Sequence, residues 1–295
     1  MQIDPTQLAA LSAILRLGSF EAAAGALNVT PSAISQRLKT LEDKVGTVLV
    51  HRSQPCTATA LGARLAKHAE DVALLEAQAL GDHAPQAAVP ARVTLAVPAD
   101  TLATWLIPAL GEVPDLMYDL RIDDQETADE WLRRGAVNAA LTGNDRAVPG
   151  CDIYPLGALR YRATASPAFV ARHFPDGPTR AALAKAPMLT FTPKDQLQSR
   201  WAKQKTGITP HPPTHQMPST HAFVEAALHG VAWGMNPEST VRAHIAAGRL
   251  IDLDPELPLD VPLYWQISRV MAKALAPLTQ AILRQARLHL HAQPR

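Results

Sequence analysis

The feature that most constrains this chain is the dipeptide Thr30-Pro31. The Thr side chain can accept from the first turn of a helix, and Pro costs nothing at the first helical position, where its N–H would be unpaired anyway. Behind it Ile34, Leu38, Leu41 and Val45 fall at i, i+4, i+7 and i+11, one apolar stripe, and Gly46 can close the segment. Residues 6–17 carry Leu8, Leu11, Ile14 and Leu15 at helical spacing and end at Gly18. Ser19 can cap a short Ala-rich helix over residues 20–27, and Asn28-Val29 makes the turn into Thr30. After Gly46, residues 48–59 alternate like a short hairpin, with Arg52 near its start and Pro55 in its turn. Three helices and a hairpin within residues 1–60 predict a winged helix-turn-helix.

The face of the third helix opposite its stripe shows Ser32, Ser35, Gln36, Lys39 and Asp43. Short hydroxyls and a Gln near a helix N-terminus are groups that reach base edges and phosphates in a major groove. Gln36 can bond an adenine edge with both amide atoms, and Arg37, Lys39, Lys44 and Arg52 can reach flanking phosphates. The expected DNA-contacting set is Thr30, Pro31, Ser32, Ser35, Gln36, Arg37, Lys39 and Arg52. A plain three-helix interaction module with a solvated polar face fits the same spacing. Charge does not decide between them, since residues 1–60 hold five Lys and Arg against four Asp and Glu.

From Leu61 onward Leu61, Leu65, His68, Val72, Leu75 and Ala79 are spaced 4, 3, 4, 3, 4, a heptad-like seam over an expected linker helix, residues 61–82. Such a seam packs on its own domain or on a second copy. Gly81-Asp82-His83-Ala84-Pro85 and Pro90 predict a hinge, residues 83–91. From residue 92 strand and helix patterns alternate, which predicts mostly parallel sheet covered by helices. Strands are expected at 93–97, 118–124, 137–142, 188–191, 231–235, 250–253 and 264–267, and a last helix at 275–291. The fold class expected is a multidomain α+β chain.

Other classes are disfavoured. Lys and Arg number 28 against 27 Asp and Glu, a formal charge of +1, so the chain is not a bulk polycation. Its two cysteines, Cys56 and Cys151, build neither a disulfide scaffold nor a zinc ribbon and suit a reducing cytoplasm. The N-terminus does not read as a signal peptide, and Glu76, Glu225 and His229 interrupt the longest apolar stretches well short of the roughly 20 residues of a membrane span. No P-loop, no GxGxxG after a strand, no HExxH and no GxSxG motif is present, so no catalytic residue and no metal site is expected.

The run from Phe20-Glu21-Ala22-Ala23-Ala24 through Leu27-Asn28-Val29-Thr30-Pro31-Ser32-Ala33-Ile34-Ser35-Gln36-Arg37-Leu38-Lys39-Thr40-Leu41-Glu42 closely resembles the N-terminal signature of LysR-type transcriptional regulators. The resemblance implies a linker helix used for dimerisation. It also implies a periplasmic-binding-protein-like effector domain, residues 92–295, with two subdomains, one of residues 92–162 and 266–295 and one of residues 163–265. The subdomains would join at crossing strands near 160–166 and 264–268. Further segments, among them Ala99-Asp100-Thr101-Leu102, Leu132-Arg133-Arg134-Gly135 and Leu263-Tyr264-Trp265, resemble the subgroup of ArgP, chromosome-initiation inhibitors and LysG-type lysine-export regulators.

That resemblance implies a basic amino-acid effector, lysine or arginine, and no other cofactor. Thr101, Ser219 and Thr220 would hold its carboxylate, Asp100 and Asp124 its cationic groups, and Trp105 and Phe191 its aliphatic stem. Thr192 and Gln125 depart from the acidic or amide character expected there. The implied partners are double-stranded DNA, a second copy or a tetramer of the same chain, and RNA polymerase, in the cytoplasm at the nucleoid and without a membrane. Capping by Thr101 and Ser219 is the plain structural alternative. An origin-binding or architectural DNA protein without amino-acid response is the functional one.

Overall fold

A computed structural model describes residues 3–83, 90–123 and 128–293. The middle of the expected hinge and Asp124 and Gln125 lie outside the described residues.

The head follows its caps. Helix α1 (Pro5–Leu17) starts at Asp4, whose carboxylate accepts from Thr6 N at 2.7 Å, and stops at Gly18, φ 75°. Helix α2 (Phe20–Ala26) is capped by Ser19, and α3 (Pro31–Val45) runs from Thr30 to Gly46. Leu8, Leu11 and Ile14 meet Ala23, Ala24, Ile34, Leu38, Leu41 and Leu49 in one buried core. The two-stranded wing, β1 (Val50–His51) and β2 (Thr57–Ala58), is tied to α3 where Glu42 Oε1 accepts Leu49 N–H at 2.8 Å.

Helix α4 (Ala60–Leu80) does not carry its apolar seam to one partner. Leu61 and Leu65, with Ala66 and Ala69, pack on the head core. Leu74 is buried in the core of the C-terminal domain and Leu75 lies against it, while His68 and Ala79 are exposed. Gly62 is required at the crossing of α4 over the wing: a Cβ there would lie 2.0 Å from Leu49 O. Farther along, Asn138 Nδ2 donates to Asp71 Oδ1 at 2.7 Å and joins α4 to the C-terminal domain.

That domain opens with β3 (Ala91–Val97). A helical stretch follows: α5 (Ala99–Thr101), a wider-wound turn at Leu102–Leu106, and α6 (Ile107–Gly111). Then come β4 (Leu116–Ile122), α7 (Asp129–Arg133), β5 (Ala139–Thr142) and the long β6 (Cys151–Ala165). The middle of the chain contributes α8 (Pro167–His173), α9 (Arg180–Leu183), β7 (Met188–Thr190), α10 (Leu197–Thr206), β8 (Thr214–Gln216), α11 (Thr220–Leu228), β9 (Gly234–Pro237), α12 (Glu238–Ala246) and β10 (Ile251–Asp252). The chain returns through β11 (Leu259–Ser268) and closes with α13 (Ala276–His289).

The main sheet has the order β10-β6-β11-β5-β3-β4, with β9 also on β6. Only β3 with β4 and β5 is parallel, and β6, β9, β10 and β11 pair antiparallel. This corrects the expectation of mostly parallel sheet. The reason is β6 and β11, which pair over ten registers and run from one half of the domain to the other. Pro155 and Gly157 read as punctuation in the sequence but lie inside β6. Gly157 (φ 129°) is needed because His291 O approaches to 2.6 Å of where a Cβ would stand. The core gathers Trp105, Trp201, Trp233, Trp265 and Tyr161, all essentially fully buried.

Candidate functional site

Two surfaces carry the expected residues. On the head, Ser32, Gln36 and Lys39 are exposed along α3, and Ser35 and Arg37 are half-buried. Pro31 is exposed at the first helical position. The Thr30 hydroxyl is engaged as the cap: it accepts Ala33 N–H at 3.2 Å and lies 3.0 Å from Ser32 Oγ. Gln36 Nε2 lies 3.5 Å from Thr40 Oγ1, a weak contact that leaves the amide able to turn to another partner. The Arg52 guanidinium sits 5.2 Å from the centre of the Phe20 ring, which holds the wing cation against α2.

The second surface is a cleft where β3 ends, lined by Asp100, Asp123, Tyr161, Phe191, Asp195 and Asn236 among others. It spans about 810 Å³ of space, open mouth included. Asp100 follows β3 on the first subdomain, Tyr161 comes from the crossing strand β6, and Thr220 opens α11 of the second. Tyr161 OH donates to Asp100 Oδ2 at 2.8 Å and Thr220 Oγ1 donates to Asp100 Oδ1 at 2.6 Å. One carboxylate therefore joins both halves of the domain. Burial pushes the Asp100 acid up, the two hydroxyl donors oppose that, and the nearby Asp195 charge adds to it. Burial, then the Asp100 charge, raises the Tyr161 phenol well above its usual value, so it stays a donor.

Asp195 accepts the backbone N–H of Phe191 at 2.9 Å and of Leu197 at 3.0 Å. Asp123 accepts the Trp131 indole N–H at 2.6 Å. Asn236 is fully buried; its Nδ2 donates to Thr164 Oγ1 at 3.0 Å, and its Oδ1 has no partner among the described residues. Asp100, Asp123, Asp195 and the Asn236 amide oxygen share the lining with one cation, Lys194, so among the described lining residues carboxyl groups outnumber cations.

The expected effector residues separate. Asp100, Phe191 and Thr220 line the cleft. Trp105 does not: it is 1% exposed and belongs to the core, because its turn of helix packs inward against the sheet. Thr101 is fully buried beside it, with its hydroxyl unpartnered. Ser219 is exposed, outside the lining, and its hydroxyl caps α11 by accepting Ala222 N–H at 3.3 Å. Asp123, read in the sequence as a rim acid beside Asp100, does line the cleft, whereas Tyr161, Asp195 and Asn236 were not expected there. A Tyr alternating along a crossing strand and an Asn within an apolar stretch were their only sequence signals.

Residues 5–63 match the family model of the bacterial regulatory helix-turn-helix protein, lysR family, and residues 86–287 match the LysR substrate binding domain. The chain belongs to the LysR family. It is a DNA-binding transcriptional regulator with an N-terminal helix-turn-helix and a C-terminal two-subdomain domain, not an enzyme. The transcriptional regulator LysG of Mycobacterium tuberculosis is 43% identical over 282 residues, which span 95% of this chain and 93% of that protein. The crystal structure of ArgP from Mycobacterium tuberculosis superposes with a TM-score of 0.79 at 42% identity, covering 99% of this chain and 100% of the other. Full-length LysG from Corynebacterium glutamicum with bound effector Arg has a TM-score of 0.66 at 37% identity over 98% of this chain and 99% of that one. LysR-type regulators named LysG and ArgP are thus full-length relatives of this chain.

Proposed function

We propose that this LysR-type regulator binds double-stranded DNA as a homodimer or homotetramer and that a basic amino acid, arginine or lysine, in its cleft changes that binding. The observation that carries the reading is the charge of the cleft. Asp100, Asp123 and Asp195 and the unpartnered Asn236 oxygen call for a ligand rich in N–H donors. Phe191 offers apolar surface to an aliphatic stem. The arginine bound to the Corynebacterium glutamicum relative supports the same class. On the head, Ser32, Ser35 and Gln36 would meet base edges and Arg37, Lys39 and Arg52 the phosphates, with Thr30 and Pro31 fixing the helix N-terminus. The genes controlled would serve amino-acid export or metabolism, in the cytoplasm at the nucleoid, through contact with RNA polymerase.

Titration calorimetry on the full chain tests the sensor. Arginine and lysine should bind, and citrulline and norleucine, their counterparts with uncharged side chains, should bind at least about tenfold more weakly, since a hydrogen bond to a charged group contributes about 1.5–3 kcal/mol. Equal affinity for charged and uncharged ligands would overturn the reading. A gel-shift series in the presence of arginine tests the coupling; an unchanged footprint would favour an architectural DNA protein.

A further inference from the structure

We propose that Trp131 is a positioning residue of the cleft: its indole N–H fixes the Asp123 carboxylate so that this acid meets a cationic ligand already oriented. The inference rests on the cleft being a basic amino-acid site and goes beyond it in naming a residue outside the lining.

Trp131 Nε1 lies 2.6 Å from Asp123 Oδ2. Asp123 lines the cleft just past β4, and its own N–H donates to Val97 O at 3.2 Å, at the end of β3. Backbone and side chain of this acid are therefore both held. The indole is itself anchored. Ala128 and Leu132 of the same turn are buried with Ala96, Val137 and Ala140, and Trp131 packs against that cluster. An indole N–H can only donate, so the contact favours an acceptor and cannot invert.

Arg121 supplies the second reason for an aromatic donor here. It lies two residues before Asp123, on the same side of the strand by the two-residue alternation. Its guanidinium sits 5.2 Å from the Trp131 ring centre. A guanidinium free to reach Asp123 would neutralise the cleft acid. The ring face carries Arg121, whose Nη2 also lies 4.0 Å from Asp119 Oδ2, while the ring edge holds Asp123. A carboxylate fixed in this way loses less freedom when it pairs with the side-chain guanidinium or ammonium of the ligand.

Trp131→Phe keeps an aromatic ring near Arg121 and removes the N–H together with part of the ring. In full-length protein the variant should bind arginine about five- to tenfold more weakly. Its affinity for citrulline should stay within about twofold of wild type. A purely structural role would weaken both ligands alike, and that outcome, or arginine binding unchanged in Trp131→Phe, overturns the inference. Should Trp131→Phe unfold, Asp123→Asn in the wild-type background provides the second measurement, which must lower the arginine-to-citrulline preference by a similar factor; an unchanged preference overturns the inference. Absence of arginine binding in the wild type itself would instead overturn the reading of the cleft, and this inference with it.

Discussion

The head and the C-terminal domain are built on different length scales. In the head, Thr30 caps onto Ala33, Glu42 reaches Leu49, and a long tie runs from Cys56 N–H to Gly18 O. In the C-terminal domain Asp100 meets Thr220, Arg160 meets Asp260, and Gln266 Nε2 donates to Thr142 Oγ1, each across 100 residues or more. The contrast teaches where function can be read locally. The face proposed to read DNA is one side of a single helix, whereas the cleft exists only after distant strands have paired.

Five substitutions test this division, the largest effect first. Trp265→Ala removes a fully buried ring of β11 whose Nε1 donates to Thr279 Oγ1 at 3.1 Å, and should cost the C-terminal domain about 3–5 kcal/mol. All five tryptophans lie beyond residue 100, so denaturant unfolding followed by tryptophan fluorescence reports that domain. DNA affinity in the folded baseline should hold. Loss of both together would show that the two regions are not separable.

Gly62→Ala inverts the test, because the new Cβ meets a backbone carbonyl that cannot swing away. It should cost the head about 1–3 kcal/mol and abolish DNA binding, with the fluorescence transition unmoved. Gln36→Ala should leave stability unchanged but lose about 1–3 kcal/mol of discrimination at one base pair in competition binding. Its salt dependence should stay the same, since no phosphate contact is removed. Thr30→Ala, which deletes the α3 cap, should cost about 1 kcal/mol of head stability by thermal unfolding.

The smallest effect concerns Asp100, whose acid is raised in the fold. Its neutral form is the one the fold favours, so wild-type stability from this group is fully present below the unfolded acid value of 3.8 and declines as pH rises through the higher folded value. Asp100→Asn cannot titrate. At pH 7 the variant should be at least as stable as wild type, and the gap should close as pH falls toward 4. A gap that widened on acidification would mean that Tyr161 and Thr220 stabilise the ionised carboxylate by more than burial costs it. Arginine binding should fall in the same variant where Asp100 is ionised in the wild type, and the difference should shrink as pH falls.

Legibility follows the same division. The helices of the head were readable because each signal is local: Asp4, Ser19 and Thr30 start helices, Gly18 and Gly46 stop them, and the apolar spacing chooses the buried side. In the second domain β3 and α13 were readable by pattern, but β6 was not, because Pro155 and Gly157 interrupt it and only the approach of His291 explains Gly157. Trp105 misled for a related reason. A residue just past a strand end beside a cleft acid looks like a wall of the site, yet helix phase turns it into the core.

The sequence by itself determined the winged head, the α3 face and the family, because caps, turns and periodicity act over a few residues and a dense local motif leaves little freedom. Only the tertiary structure decided which side chains make the cleft. Tyr161 and Thr220 lie 61 and 120 residues along the chain from Asp100, the acid they share. Their meeting depends on the register of β6 against β11 and on the helices packed over them, and strand register is fixed by burial on a whole sheet face rather than by any neighbour in sequence.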